Sequence, residues 1–308
     1  MKILVTGGAG YIGSFMVRKL LERGDEVTVF DNLERGHRKA IDPRAKFIKG
    51  DIKNNKDLEY LFVNSSFEAI MHFAGLIAVG ESEEKPDLYY QNNVVGSKNL
   101  FKTALNIGRV KKFIFSSSAA VYGNPREIPI PESHPKNPTS EYGKNKLAVE
   151  EILLSLQKNN PEVGFIALRY FNAAGAAMDG SLGEGHNPET HIIPSIIKSA
   201  LLGIPFKVFG NDYKTKDGML ALEKLHKEKR AYTYNVGTGI GYSNKQVIEA
   251  VKKVSGKNFD VEYSQRRKGD VDELIADPSK IKTELGFSPR FSDLNTIVNT
   301  AWQWHQKQ

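Results

Sequence analysis

The sequence predicts an α/β fold, a doubly wound parallel sheet followed by a smaller mixed α/β C-terminal unit. Three observations predict it. Short, almost wholly apolar runs alternate with longer stretches of helical period through the first half of the chain. A glycine cluster separates the first apolar run from the first helical stretch, and the texture changes after Asn172, where Gly, Ala and polar residues dominate 173–190. Apolar runs joined by helices need crossover connections, which make the strands parallel and cover both faces of their sheet.

The elements follow in order. Lys2-Ile3-Leu4-Val5-Thr6 reads as a buried strand, and the helix after the glycines carries Ile12, Phe15, Met16, Leu20 and Leu21. Glu26 to Phe30, Lys46 to Ile48, Ala69 to Phe73, Lys112 to Phe115 and Gly164 to Leu168 are the next five strands. Residues 173–190 read as a long functional loop. A helix is predicted from His191 to Leu202, a strand over Tyr232 to Val236 and a helix from Asn244 to Val254. The expected organisation is a nucleotide-binding unit over 1–172, to which the strand near 232–237 returns, and a second unit over 173–308, with a cleft between them.

Composition narrows the function. Apolar residues at 40% and charged residues at 26% exclude a disordered or fibrous chain of 308 residues. No apolar run approaches the ~18–20 residues of a membrane helix, and only Ile3-Leu4-Val5 precedes the glycines, too short for a signal peptide. Zero cysteines exclude disulfides, thiolate metal sites and thiol nucleophiles. A soluble, cytoplasmic protein without a metal or a membrane partner is expected. The net charge is +7, but Lys111-Lys112, Arg266-Arg267-Lys268 and the run Lys224 to Arg230 are separated and interleaved with acids. That suits a solvated surface, or attraction of an anionic small molecule, rather than nucleic acid.

Gly7-Gly8-Ala9-Gly10-Tyr11-Ile12-Gly13 joins the first strand to the first helix. Glycines there permit a tight turn and close approach to a pyrophosphate, which the helix N-terminus attracts. Asp31 lies 18 residues beyond Gly13, at the end of the second strand, where a carboxylate binds ribose hydroxyls. The pattern predicts a Rossmann-type site for NAD, since Asp31 repels the 2′-phosphate of NADP. Asn32 adjoins it. Asp51-Ile52 after the third strand is placed to meet adenine, although Asp51 also reads as a helix N-cap. Phe73-Ala74-Gly75 ends the fourth strand with small residues that let a cofactor lie close.

Ser116-Ser117-Ser118 ends the fifth strand, and Tyr142 and Lys146 are four apart at the start of the next long helix. They share one helix face. A phenol with pKa ~10 is a poor base, but an ammonium and a nicotinamide cation favour its phenolate. Lowering it by ~3 units takes about 4 kcal/mol. Ser118 would hold a substrate hydroxyl in line for proton transfer to Tyr142. Taken alone, such a Tyr–Lys pair is ordinarily a surface contact.

Thr6 to Gly13, His72-Phe73-Ala74-Gly75, Ser116-Ser117-Ser118-Ala119-Ala120-Val121-Tyr122-Gly123 and Tyr142–Lys146 resemble the extended short-chain dehydrogenase/reductase family. Asp31-Asn32-Leu33, Ala78-Val79-Gly80-Glu81-Ser82, Asn92-Asn93-Val94, Arg169-Tyr170-Phe171-Asn172 and Val208-Phe209-Gly210-Asn211-Asp212-Tyr213 are similar to its nucleotide-sugar 4-epimerases. The resemblance implies bound NAD and interconversion of UDP-glucose and UDP-galactose through a 4-keto sugar, with Asn92 and Tyr170 among the cofactor contacts. It implies that Asn172, His191, Arg267 and Asp270 hold the nucleotide diphosphate of the UDP sugar, with Phe209 near the uracil or in the core. It also implies a homodimer through the helices around 92–106 and 142–156. The family's 4,6-dehydratases carry Asp-Glu where this chain has Ala119-Ala120, which argues against dehydration. A uronic acid 4-epimerase, acting on UDP-glucuronate, is the alternative within enzymes.

Three departures from the family pattern stand out. Ile77 replaces a lysine of some relatives. Leu274 stands where a tyrosine limits the sugar pocket of some epimerases, so the N-acetylated sugars are expected to be accepted as well. Asp217-Gly218 runs directly into Met219-Leu220, where the family has a strand and the start of a helix, on the order of fifteen to twenty residues. Either the sequence lacks residues that the protein carries, or a true deletion has left a non-catalytic protein that binds NAD or a nucleotide sugar.

Overall fold

The structure is a computed structural model that describes residues 1–171, 173–186, 189, 191–208, 224–225, 230–264, 271, 273–289 and 291–308. Seven apolar segments form one sheet: β1 (Lys2–Thr6), β2 (Glu26–Asp31), β3 (Lys46–Lys49), β4 (Ala69–His72), β5 (Lys112–Ser118), β6 (Gly164–Tyr170) and β8 (Ala231–Val236). Their order is β3-β2-β1-β4-β5-β6-β8, with parallel pairing throughout. Strand β7 (Phe206–Val208) pairs in parallel with β9 (Val261–Tyr263) in a separate two-stranded sheet.

The sheet is apolar on both sides because successive side chains alternate between faces that are both covered. Ile3, Val5, Val29, Met71 and Ile114 point to one face and pack with Val17 and Leu20 of α1 (Tyr11–Glu22). Leu4, Ile70, Phe113 and Phe165 point to the other. They meet Leu58 and Leu61 of α2 (Asn55–Asn64), then Leu100 and Phe101 of α5 (Gly96–Asn106) and Val149 and Leu153 of α6 (Glu141–Asn159). Two short helices, α3 (Val79–Glu84) and α4 (Pro86–Tyr89), and a π-helical turn (Tyr90–Val95) lead from β4 into α5.

A third apolar cluster joins Ile193, Ile196 and Ile197 of α7 (Ile192–Leu202), Val247, Ile248 and Val251 of α8 (Asn244–Ser255), and Ile297, Val298 and Trp302 of α10 (Leu294–His305). Helix α9 (Ser279–Leu285) instead contributes Ile281 to the first sheet face. Helices α2, α6, α8 and α10 begin on side-chain caps that satisfy N–H groups left free by the first turn. Ser140 accepts from Gly143 N at 3.1 Å, and Ser243 and Gln246 form a reciprocal capping box. Glycines in the left-handed conformation end α7, α8 and α9, at Gly203, Gly256 and Gly286.

Candidate active site

Strand order reverses between β1 and β4, and ligands of open parallel sheets bind beyond the carboxyl ends of the strands at such a point. A cleft of about 910 Å³ lies there. Its first wall is the glycine turn. Gly7 has φ +73°, and a Cβ on it would stand 2.4 Å from Ala74 N, so only glycine lets the turn rest on the end of β4. A Cβ on Gly13 would reach the Gly7 carbonyl at 2.2 Å, while one on Gly10 would meet only that carbonyl, at 3.3 Å. Gly10 also caps α1 without a side chain, and the first turn holds no acidic residue, so the start of the helix faces the cleft ready for an anion.

Asp31 is buried beside this turn. Its carboxylate accepts Ala9 N–H at 3.0 Å and Leu33 N–H at 2.8 Å, so it fastens the glycine turn while lining the cleft. Burial raises its pKa against the opposing pull of those two bonds. Asp51 does not cap α2; Asn54 does, accepting from Lys56 N. Asp51 accepts Lys53 N–H at 2.8 Å and the Asn32 amide at 3.1 Å. Asn32, Asp51 and Ile52 line the same end of the cleft as Asp31, and Tyr11, Ile12, Phe73, Ala74 and Gly75 line its floor. Tyr11 donates to the Gly175 carbonyl at 2.7 Å, and Ile77 also lines the cleft.

The facing wall comes from β5, α6 and β6. Ser118, Tyr142, Lys146 and Tyr170 line it, with Asn92 of the π-helical turn. Ser82 accepts Tyr142 N–H at 3.1 Å and so ties the start of α6 to α3. Lys146 is buried, donates to the Ser116 carbonyl at 2.7 Å, and lies 4.9 Å from the Phe115 ring centroid and 5.7 Å from that of Tyr142. Burial lowers the Lys146 pKa to about 8. The ammonium is one of the two cations expected to favour the Tyr142 phenolate. Burial pushes the Tyr142 phenol up to about 12, against a hydrogen bond from Ser118 that lowers it.

Sequence reasoning selected Asn92 and passed over its neighbour. Asn93 accepts Leu76 N–H at 2.8 Å and donates to the Leu76 carbonyl at 2.9 Å, clamping the loop after β4. It also missed the partners of His191. His191 lines the cleft at the start of α7, and its Nδ1 is 2.5 Å from Glu184 Oε1 and 3.5 Å from Glu189 Oε1. His186 Nδ1 is 3.2 Å from the same Glu184 oxygen. Burial lowers the pKa of both imidazoles, but the carboxylates outweigh it, raising His186 to about 9 and His191 to about 10. The four ligand atoms lie within 4.8 Å of one another. The spacing Glu-x-His-x-x-Glu-x-His in the sequence was the available signal.

Leu274 lines the cleft and packs against the cluster of Val121, Tyr122 and Phe171. Asn172, Phe209, Arg267 and Asp270 lie outside the described residues, as does the junction of Gly218 and Met219.

A dinucleotide cradle whose facing wall offers a tyrosine and a lysine one helical turn apart is the arrangement of short-chain dehydrogenase/reductases, and the fold and cleft define that class. The chain belongs to the family described as GDP-mannose 4,6 dehydratase, whose model matches residues 4–300, and within it to the family of the UDP-glucose 4-epimerases. A UDP-glucose 4-epimerase of Lactobacillus helveticus is 45% identical, over 99% of this chain and 97% of that protein. That aligned span is 323 positions, more than the 308 residues of this chain, so the relative carries residues that the chain lacks. Among solved structures, the UDP-glucose 4-epimerase of Bifidobacterium longum in complex with NAD+ and UDP superposes with a TM-score of 0.91. It is 34% identical, covering 100% of this chain and 98% of that one. The UDP-Glc/GlcNAc 4-epimerase of Campylobacter jejuni gives a TM-score of 0.84 at 40% identity, covering 100% and 99%.

Proposed function

We propose that the protein interconverts UDP-glucose and UDP-galactose as an NAD-dependent UDP-sugar 4-epimerase. The observation that carries this reading is the meeting of Tyr142, Lys146 and Ser118 with the glycine turn and Asp31 in one cleft. Gly7, Gly10 and Gly13 with the start of α1 would hold the pyrophosphate of NAD, and Asp31 its adenosine ribose. Asn32, Asp51, Ile52, Phe73, Ala74, Gly75, Asn92 and Tyr170 would enclose the rest. Bound there, NAD would supply the acceptor, and then the donor, of a hydride at the sugar C4.

The chain's own groups move the proton. Ser118 holds the sugar 4-hydroxyl, and Tyr142 takes its proton as C4 is oxidised to the ketone. The 4-keto sugar turns over in the cleft, and Tyr142 returns the proton to the new alkoxide. A phenol near 12 is too basic to lose its proton at neutral pH, so the reaction needs Lys146 charged and the nicotinamide cation beside it. His191, with Asn172, Arg267 and Asp270, would hold the UDP moiety; Arg267 suits a phosphate by charge and fork geometry.

A specific observation favours a second substrate pair. Leu274, not a larger aromatic residue, lines the cleft, and one solved relative is a UDP-Glc/GlcNAc 4-epimerase. The N-acetylated sugars are included in the proposal on that ground. Tyr90 and Leu154, exposed on the π-helical turn and α6, support pairing of two copies through these helices. Among the described residues no helix is long and apolar enough to cross a membrane, and with zero cysteines this supports a cytoplasmic setting.

The test is incubation with UDP-galactose, UDP-N-acetylgalactosamine or UDP-glucuronate without added reductant, followed by separation of the UDP sugars. UDP-glucose formed from UDP-galactose is the expected result. Conversion of UDP-glucuronate alone would replace this reading with a uronate epimerase. Conversion of none would leave a protein that only binds NAD or a nucleotide sugar.

A further inference from the structure

Beneath the site lies a buried polar network with no counterpart in the proposed chemistry. Glu150 follows Lys146 by one turn of α6, on the same helix face. Its carboxylate receives both prongs of Arg169, Nε at 2.9 Å and Nη2 at 2.6 Å, and the Ser117 hydroxyl at 2.6 Å. Ser117 and Arg169 are register partners on β5 and β6, so one carboxylate grips both strands at once. The Glu150 and Arg169 side chains are only 7% and 3% exposed. Arg169 Nη1 continues to the Tyr122 hydroxyl at 2.7 Å, which donates to Asn235 Oδ1 of β8 at 2.6 Å.

The residues on either side of Ser117 are the working ones. The Ser116 carbonyl receives Lys146, and Ser118 faces Tyr142 in the cleft. A buried ion pair adds little net stability compared with apolar packing, but separating its partners is costly, because it leaves an uncompensated charge. We infer that Glu150 is a positioning residue that, through Ser117 and Arg169, holds the middle of α6 in register with the end of β5 and thereby sets Tyr142 against Ser118 and Lys146 against the Ser116 carbonyl. Helix and strand are thus locked to each other within one turn of the Tyr–Lys pair. The inference rests on the proposed role of Tyr142 and Lys146 but not on which sugar is turned over.

The experiment titrates the Tyr142 phenol directly in the full chain saturated with NAD. The phenolate absorbance difference between the unaltered protein and Tyr142→Phe isolates one tyrosine of the 12. It is measured in Glu150→Gln and in Ser117→Ala, which keeps the Arg169–Glu150 pair and so guards against a folding failure. An upward move of the midpoint by about one pH unit in Ser117→Ala, restored in Ser117→Thr, is expected. With it, kcat for UDP-galactose should fall roughly tenfold below that midpoint while KM stays within about twofold. An unmoved midpoint with only a lowered melting temperature would overturn the inference, as would a raised KM at unchanged kcat. Because the titration needs no turnover, an inactive protein would sink the proposed function and still decide this point.

Discussion

The ammonium of Lys146 is committed to the main-chain carbonyl of Ser116, 2.7 Å away, and not to the hydroxyl of Tyr142 four residues before it. The ammonium stands 5.7 Å from the Tyr142 ring centroid, so in the proposed reaction the lysine acts on the phenol by its charge. This frames how the site should respond to substitution and to pH.

Replacing Tyr142 with Phe should lower epimerisation by 10²–10⁴-fold, the usual range for a lost acid–base group. Binding of NAD should persist, because the glycine turn and Asp31 are untouched. Conversion of UDP-galactose and fluorescence of bound cofactor check both halves; near-normal turnover would remove Tyr142 from the chemistry.

Lys146 should make stability rise with pH in the alkaline range. Its folded pKa of about 8 lies below its ordinary 10.5. Between those values the unfolded chain binds more protons, so unfolding becomes harder as pH increases. The burial penalty is fully present below pH 8 and amounts to roughly 3 kcal/mol. Urea unfolding of the unaltered protein and of Lys146→Met at a series of pH values should show the difference closing from pH 8 to 10.5. Parallel curves would contradict it.

The Glu184–His186–Glu189–His191 cluster should act with the opposite sign. Both imidazoles gain carboxylate partners, so their folded pKa values, about 9 and about 10, lie above the ordinary 6.5. Their stabilising contribution is complete below 6.5 and lost as pH rises through 9 to 10. The melting temperature of the unaltered protein should therefore fall relative to that of His191→Gln across that interval. An equal drop in both would place the alkaline loss elsewhere.

Asp31→Asn should weaken NAD binding by about tenfold or more and narrow the preference over NADP, since it removes a charge-assisted ribose contact and the repulsion of a 2′-phosphate. Fluorescence titration with each cofactor measures this; an unchanged ratio of the two affinities would contradict the role of the carboxylate.

Leu274→Tyr should depress turnover of UDP-N-acetylgalactosamine at least tenfold, while leaving UDP-galactose within about threefold, because added bulk excludes one acetamide but not the parent hydroxyl. Equal loss on both sugars would argue that position 274 shapes packing instead.

Much of this was legible in the sequence for local reasons. β1 and β6 sit under helices on both faces, and so read as unbroken apolar runs rather than alternating ones. Gly7, Gly10 and Gly13 fall within one short turn, and Tyr142 and Lys146 are neighbours by helical spacing. For Asp51 a cap and a cleft position read alike in sequence, because an acidic residue ahead of a helix carries the same signature as Asn54, which does the capping, while Asp51 lines the cleft. The grip of Glu150 on Ser117 and Arg169 spans 33 and 19 residues, and no local pattern announces a partner at such a distance.

The return of β8 to the far side of β6 sets how the chain can be cut. All seven residues of β6 are buried, and β8 covers its outer edge along six of them. A fragment ending near 172 would bare a long, flat, apolar edge strand, the kind that pairs with other copies. It would also strip the Asn235 amide from Tyr122 and the Ile130 carbonyl. The two ends of the gene product are thus obligate companions. Splitting or swapping them as modules should yield aggregates, whereas an insertion at Ile240, exposed on the loop after β8, should be tolerated.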